Sequence, residues 1–131
     1  MEWTIDRYEK LFSIQPEKII VDSHPQFFSS HLGERIGKSS QISVIPVQHH
    51  HAHIASVMAE HNLEGPVLGI AMDGTGYGPD GSVWGGEFLL CKGNQYQRLA
   101  HIHEAPLPGG EKAVSEPWRP ALWYIRHYYG N

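Results

Sequence analysis

The hydrophobic period of this chain changes near residue 65, and that change limits the fold more than any other feature. Before it, helical and strand-like spacings alternate. "WTIDRYEKLFSI" places apolar residues at Ile5, Tyr8, Leu11 and Phe12, the spacing of a helix. "EKIIVDS" is a short β-rich run and reads as a buried strand. "HPQFFSSHLGERIG" reads as a helix begun through Pro25 and stopped by Gly33 or Gly37. "SQISVIPVQ" is a second strand, and "HHHAHIASVMAEHN" a third helix closed by Asn62 or Gly65. Such alternation is the pattern of a parallel sheet covered by helices. After residue 65, "GPVLGIAMDG" is a near-continuous apolar strand. "SVWGGEFLLCKG" and "NQYQRLAHIHEA" alternate across the turn "KGNQ" and read as hairpin-joined strands. "SEPWRPALWYIRHYY" reads as a final helix starting at Ser115-Glu116-Pro117, with Pro120 in its first turn. Two parts are expected, 1–65 and 66–131.

A three-strand meander with one helix leaves an open sheet edge and an uncovered face. The chain is therefore expected to be a fragment of a larger unit or to need a partner copy. Its 131 residues suffice for one modest domain. No apolar run reaches membrane-spanning length, so no membrane partner is expected. "MEWTIDRYEK" carries acids and lacks an apolar signal core, which predicts a cytoplasmic protein. A net charge of −4 without a basic block argues against nucleic-acid binding. The single cysteine, Cys91, excludes an internal disulfide and a cysteine-rich zinc site. The one compositional anomaly is ten histidines.

Four of these fall within "HHHAH", residues 49–53. On a helix, His49, His53, Ser56 and Glu60 share one stripe. His50, Val57 and His61 form the next, while Ala52, Ala55 and Ala59 would allow another element to approach closely. Residues i and i+4 are neighbours, so His49 and His53 can offer two imidazoles to one metal. His49 would sit in the first helical turn, where the positive helix end favours the neutral, ligating imidazole. The zinc-protease pattern does not fit, because His50 stands where its glutamate should be. Polar surface histidines and a metal-free catalytic base remain open readings.

"MDGTGYGPDGSVWGGE" is the second dense stretch. Asp73 ends a strand and is followed by Gly74, Thr75 and Gly76, then Gly78. Glycines allow backbone N–H groups to approach an anion. The spacing fits neither a Walker loop nor a dinucleotide fingerprint. A carboxylate at a strand end beside such a loop suits a metal bound to phosphates. A plain hairpin is the alternative, with Asp80 in the turn "PDG". In the third stretch, "APLPGGEKAVSEPWRPA", Glu116, Trp118 and Arg119 could build a rigid functional loop or only a packed tryptophan and a salt bridge.

Taken together, "VQHHHAHIASVMAEH", "DGTGYGPDGSVWGGEF" and "PLPGGEKAVSEPWRPAL" resemble the carbamoyltransferase domain of the HypF hydrogenase maturation factors. "YEKLFSIQPEKIIVDSHPQFFSS" matches the segment that precedes them in that family. The resemblance implies an α/β fragment of a duplicated ribonuclease-H-like, actin-like ATPase fold, a mixed sheet with flanking helices. Residues 1–65 would be the α/β tail of the first lobe, and 66–131 the meander and first helix of the second. Of the family's metal set, the histidine pair falls on His49 and His53 and one aspartate on Asp73, which would hold iron or zinc; a further metal-binding aspartate and the later glycine-rich nucleotide segments are expected beyond residue 131. Asp73, Gly74, Thr75 and Gly76 would meet the nucleotide. His50 and His51 would stand behind the ligands or polarise the carbonyl, as catalytic groups. Two departures touch substrate contacts: Ser115 replaces the family's usual arginine, and Glu111 stands where aspartate is common.

The implied activity is carbamoyl transfer. Carbamoyl phosphate and ATP give carbamoyl-adenylate in a neighbouring domain, and the carbamoyl group passes to the C-terminal cysteine of a HypE-like acceptor. That product leads to the cyanide ligand of [NiFe]-hydrogenase. The fragment alone is expected to be inactive, and its oligomerisation is left open. Cys91, in an apolar strand, is a poor nucleophile. The rival readings are a non-catalytic metal-binding or assembly module and a relative of the tRNA threonylcarbamoyl transferases. The acidic charge and the "HHHAH" form speak against the latter.

Overall fold

The computed structural model describes residues 2–130. The chain is mixed α/β and divides into two compact units, between His49 and His50. In the first unit, α1 (Glu2–Phe12), β1 (Lys18–Asp22), α2 (Phe28–Ser40) and β2 (Ser43–Val47) follow one another. β1 and β2 pair in parallel, from Lys18 opposite Ser43 to Asp22 opposite Val47. α2 corrects the expected bounds at both ends. It starts after Phe27 rather than through Pro25, and it runs past both Gly33 and Gly37 to Gln41 in the left-handed conformation (φ 57°). The two glycines are interior because they let the helix lie on the strands. A Cβ on Gly33 would come within 2.4 Å of Val21 Cγ1, and one on Gly37 within 2.3 Å of Val44 Cγ2. β1 is covered only on that side, and Ile20 on its other face is exposed. The burial expected for this strand therefore holds for one face alone.

The second unit takes almost all of α3 (His49–Glu60), then β3 (Val67–Ala71), β4 (Gly76–Tyr77), β5 (Val83–Trp84), β6 (Glu87–Lys92), β7 (Gln95–His101), α4 (Glu111–Ser115) and α5 (Trp118–Tyr129). β3, β6 and β7 form the expected antiparallel meander, and β4 and β5 a small hairpin inserted between β3 and β6. The run "SVWGGEFLLCKG" is thus two strands, not one. Gly86 takes a positive φ of 68° and breaks it. α3 ends as expected: Asn62 is left-handed, and the Leu63 N–H reaches back to the Met58 carbonyl at 2.9 Å. α4 is a short helix within the stretch that reads as a loop in the sequence.

α3 is grouped with the second unit rather than the first because of its buried stripe. Ile54 and Met58 pack with Ala71, Trp84, Leu89 and Cys91, flanked by Val67 and Tyr96. The expected close approach through Ala52, Ala55 and Ala59 is corrected, since Ala52 and Ala59 are exposed. Close approach is achieved instead at Gly69, where a Cβ would stand 2.3 Å from Ile54 Cδ1. No helix among the described residues is long and apolar enough to cross a membrane.

Candidate metal centre

α3 starts two residues after β2, so its first turn carries His49 to His51. His49 and His53 lie one turn apart on the helix, at i and i+4. Asp73 follows β3 in the loop before the β4–β5 hairpin. Its Oδ2 lies 3.7 Å from His53 Nε2, and its Oδ1 lies 3.3 Å from His50 Nε2. One possible ligand atom from each of His49, His53 and Asp73 lies within 4.8 Å of the others. The His53–Asp73 separation is long for a direct hydrogen bond but suits two ligands of one ion at bonds of about 2.0–2.2 Å. Two imidazole nitrogens and one carboxylate oxygen are a donor set for iron or zinc. The residues present therefore fit a divalent metal.

The other expected site residues separate into two groups. His50 has no exposed surface and turns toward Asp73. His51 is also buried but turns elsewhere: its Nε2 lies 3.3 Å from the Gly93 carbonyl oxygen, and its ring packs on Tyr96 at 4.9 Å between centroids. The structure does not bring His51 to the group. Gly74 and Thr75 are exposed beside Asp73, and a Cβ on Gly74 would meet open space. Gly76 opens β4, so the glycine stretch is at least a hairpin. Gly78 is required sterically, because a Cβ there would fall 2.1 Å from Trp84 Nε1.

Two carboxylates that the sequence does not single out lie beside these residues. Asp22, at the end of β1, has Oδ2 3.0 Å from His49 Nδ1. Glu87 is fully buried and accepts hydrogen bonds from Arg98 Nε (2.6 Å), Arg98 Nη2 (2.8 Å) and the Gly85 N–H (3.0 Å). That last bond fixes the Gly85–Gly86 turn against the Asp73–Gly74 backbone. Gly86 N–H donates to the Asp73 carbonyl at 3.2 Å, and a Cβ on Gly85 would sit 2.6 Å from the Gly74 oxygen. The alternation of "EFLLCK" was a signal for Glu87, since period two puts it on the inward face with Leu89 and Cys91.

The remaining groups support this frame. The Arg98 guanidinium lies 4.1 Å over the Trp84 ring. Trp84 Nε1 donates to Asp80, which also accepts from the Ser82 N–H and hydroxyl. The backbone bond from Ser82, then the Trp84 and Ser82 side chains, hold the Asp80 carboxyl down at about 2. Cys91 is buried and desolvation raises its thiol pKa, which makes it an inert core residue. In the third stretch, Arg119 Nε donates to Glu116 at 2.5 Å and its guanidinium covers Trp118 at 4.7 Å. Glu111 begins α4, and the Ser115 hydroxyl donates to the Lys112 carbonyl at 3.3 Å.

The chain as a whole matches known proteins. Residues 1–60 match the family model for the HypF Kae1-like domain, and residues 69–131 that for the carbamoyltransferase Kae1-like domain, second subdomain. Carbamoyltransferase HypF2 of Cupriavidus necator is 46% identical over 86% of this chain, which spans 14% of that protein. Carbamoyltransferase HypF of Synechocystis is 43% identical over 99% of the chain and 17% of the relative. Among solved structures, full-length HypF in a phosphate- and nucleotide-bound form is 50% identical, with a TM-score of 0.79, over 93% of this chain and 19% of that one. T. kodakarensis HypF gives a TM-score of 0.83 at 41% identity, over 98% and 17%. The chain thus spans between 14% and 19% of these relatives, and it belongs to the HypF carbamoyltransferase family, within the Kae1-like domain.

Proposed function

We propose that this chain forms part of the carbamoyl-transfer site of a HypF enzyme, with His49, His53 and Asp73 as its metal ligands. The observation that carries the reading is the convergence of those three side chains, within 4.8 Å, on a backbone similar to a HypF crystallised with phosphate and nucleotide. His49, His53 and Asp73 would hold an iron or zinc ion, which would supply positive charge to offset that of a nucleotide phosphate. His50, buried behind Asp73, holds the carboxylate in place and acts as a positioning residue. The exposed Gly74–Thr75 stretch offers the nucleotide a backbone without bulk. The Gly85–Gly86 turn keeps that stretch from moving away.

In the reaction, the cysteine thiolate of a HypE-like acceptor attacks the carbamoyl carbon. A carbon–sulfur bond forms, the carbon–oxygen bond to phosphate breaks, and AMP leaves with the electron pair. ATP and carbamoyl phosphate supply the adenylate from another domain. Zinc titration of wild type and His53→Ala, each with and without AMP, tests the reading. Wild type is expected to take up one zinc and to bind AMP only with it, while His53→Ala does neither. Equal zinc content in the two proteins would defeat the metal assignment.

A further inference from the structure

Asp22 lies against His49, the first proposed metal ligand, but is not among the proposed ligands themselves. Asp22 sits at the last position of β1 and uses its two carboxylate oxygens differently. Oδ1 accepts the His24 N–H at 2.8 Å, an Asx turn that fixes the carboxylate plane. Oδ2 lies 3.0 Å from His49 Nδ1. The Ser30 hydroxyl, in the first part of α2, donates to the Asp22 carbonyl at 2.8 Å and ties the strand end to that helix. The Asp22 side chain is 19% exposed and that of His49 32%, so the contact is partly shielded from water.

A carboxylate only accepts hydrogen bonds at neutral pH, so the nitrogen facing it must carry the proton. We infer that Asp22 is a positioning residue for the metal site: it holds His49 as the Nδ1–H tautomer and presents Nε2 as the ligand atom. A carboxylate behind a ligating histidine fixes the ring and raises its basicity, an effect on metal affinity of about 10- to 100-fold. This rests on the proposed metal site and adds a residue to it.

Asp22→Asn is the informative variant. Its side-chain oxygen keeps the bond from the His24 N–H, and so the turn. Its NH2 group then faces His49 Nδ1 and donates to it, which forces the opposite tautomer and protonates the ligand nitrogen. The measurements are two-bond 1H–15N NMR spectra of the metal-free protein, with the His49 signals assigned by their loss in His49→Gln, and zinc affinity by chelator competition. The expected result is Nδ1–H at His49 in wild type, Nε2–H in Asp22→Asn, and zinc affinity lowered about 10- to 100-fold with an unchanged circular dichroism spectrum. Wild-type zinc affinity in Asp22→Asn, or Nε2–H in the wild-type protein, would overturn the inference while leaving the metal reading intact. Equal zinc affinity in wild type and His49→Gln would remove the metal reading, and this inference with it. The wild-type tautomer requires no variant, so it decides even if Asp22→Asn fails to fold.

Discussion

Asp73 is the residue on which the proposed chemistry turns, because it faces two imidazoles of α3 and carries the only carboxylate of the donor set. In a HypF enzyme containing this stretch, Asp73→Asn keeps size and loses charge. The expected outcome is a fall in carbamoyl transfer of about 100-fold or more, the scale seen when a group stabilising developing charge is removed. Carbamoyl-phosphate-dependent ATP–pyrophosphate exchange should persist, since the proposed function assigns adenylate formation to another domain. Normal transfer would return Asp73 to the role of a turn residue. His49 and His53 were legible in the sequence because helical spacing alone makes them neighbours. Asp22 was not legible, since it lies 27 positions from His49 and no local period links a strand end to a helix start. Asp80 read as a turn residue, and the structure adds its tryptophan partner. Its carboxyl lies lower in the fold, at about 2, than the ordinary 3.8, so the folded state favours the charged form. The stabilisation is therefore complete above about pH 4 and fades as pH falls toward 2. Melting temperatures of wild type and Asp80→Ala should differ at neutral pH and converge toward pH 2.

At the scale of elements, glycine decides which helix can lie on which strand. In α2 an alanine at Gly37 would gain up to about 1 kcal/mol in helix propensity. It would also place Cβ 2.3 Å from Val44 Cγ2 and 2.9 Å from the Ile42 carbonyl, and that backbone oxygen cannot rotate away. Gly37→Ala is therefore expected to cost about 1–3 kcal/mol net, measured by urea unfolding. Gly74→Ala, where a Cβ meets open space, should stay within about 0.5 kcal/mol. An unchanged midpoint for Gly37→Ala would contradict the packing described. The same point explains what could be read from the sequence. The order of helices and strands was legible because each has its own hydrophobic period. The end of α2 was misplaced because an interior glycine looks like a stop until the strand beneath it is known. The break at Gly85–Gly86 was missed because "VWGGEFLLCK" keeps an alternating pattern straight through a turn. Only the approach of the Asp73–Gly74 backbone shows why two glycines stand there.

At the scale of the whole molecule, the meander has two apolar faces but buries only one. Leu89 and Cys91 lie in the core with Glu87. The opposite face carries Leu68 beside Leu90 and Ile70 beside Phe88 across the β3–β6 ladder. Leu68 is 56% exposed and Ile70 54% exposed. A sheet with one wet face ordinarily alternates apolar and polar residues, so two apolar faces mark a sheet built to be covered on both sides. The chain spans 14% of one HypF relative and 17% of another, and most of such a protein lies outside it. Presented alone, this face is an association surface. The chain is expected to sediment as a concentration-dependent mixture larger than a monomer. The double substitution Leu68→Lys, Ile70→Glu should make it monomeric. Neither side chain belongs to the buried cluster of Ile54, Met58, Ala71, Trp84, Leu89 and Cys91, so the unfolding free energy should change by no more than about 1 kcal/mol. In a full-length HypF containing the stretch, the same pair would bury two charges under neighbouring structure and should unfold or aggregate the protein. Sedimentation of a wild-type chain as a strict monomer at all concentrations would show that this face is tolerated in water as it stands.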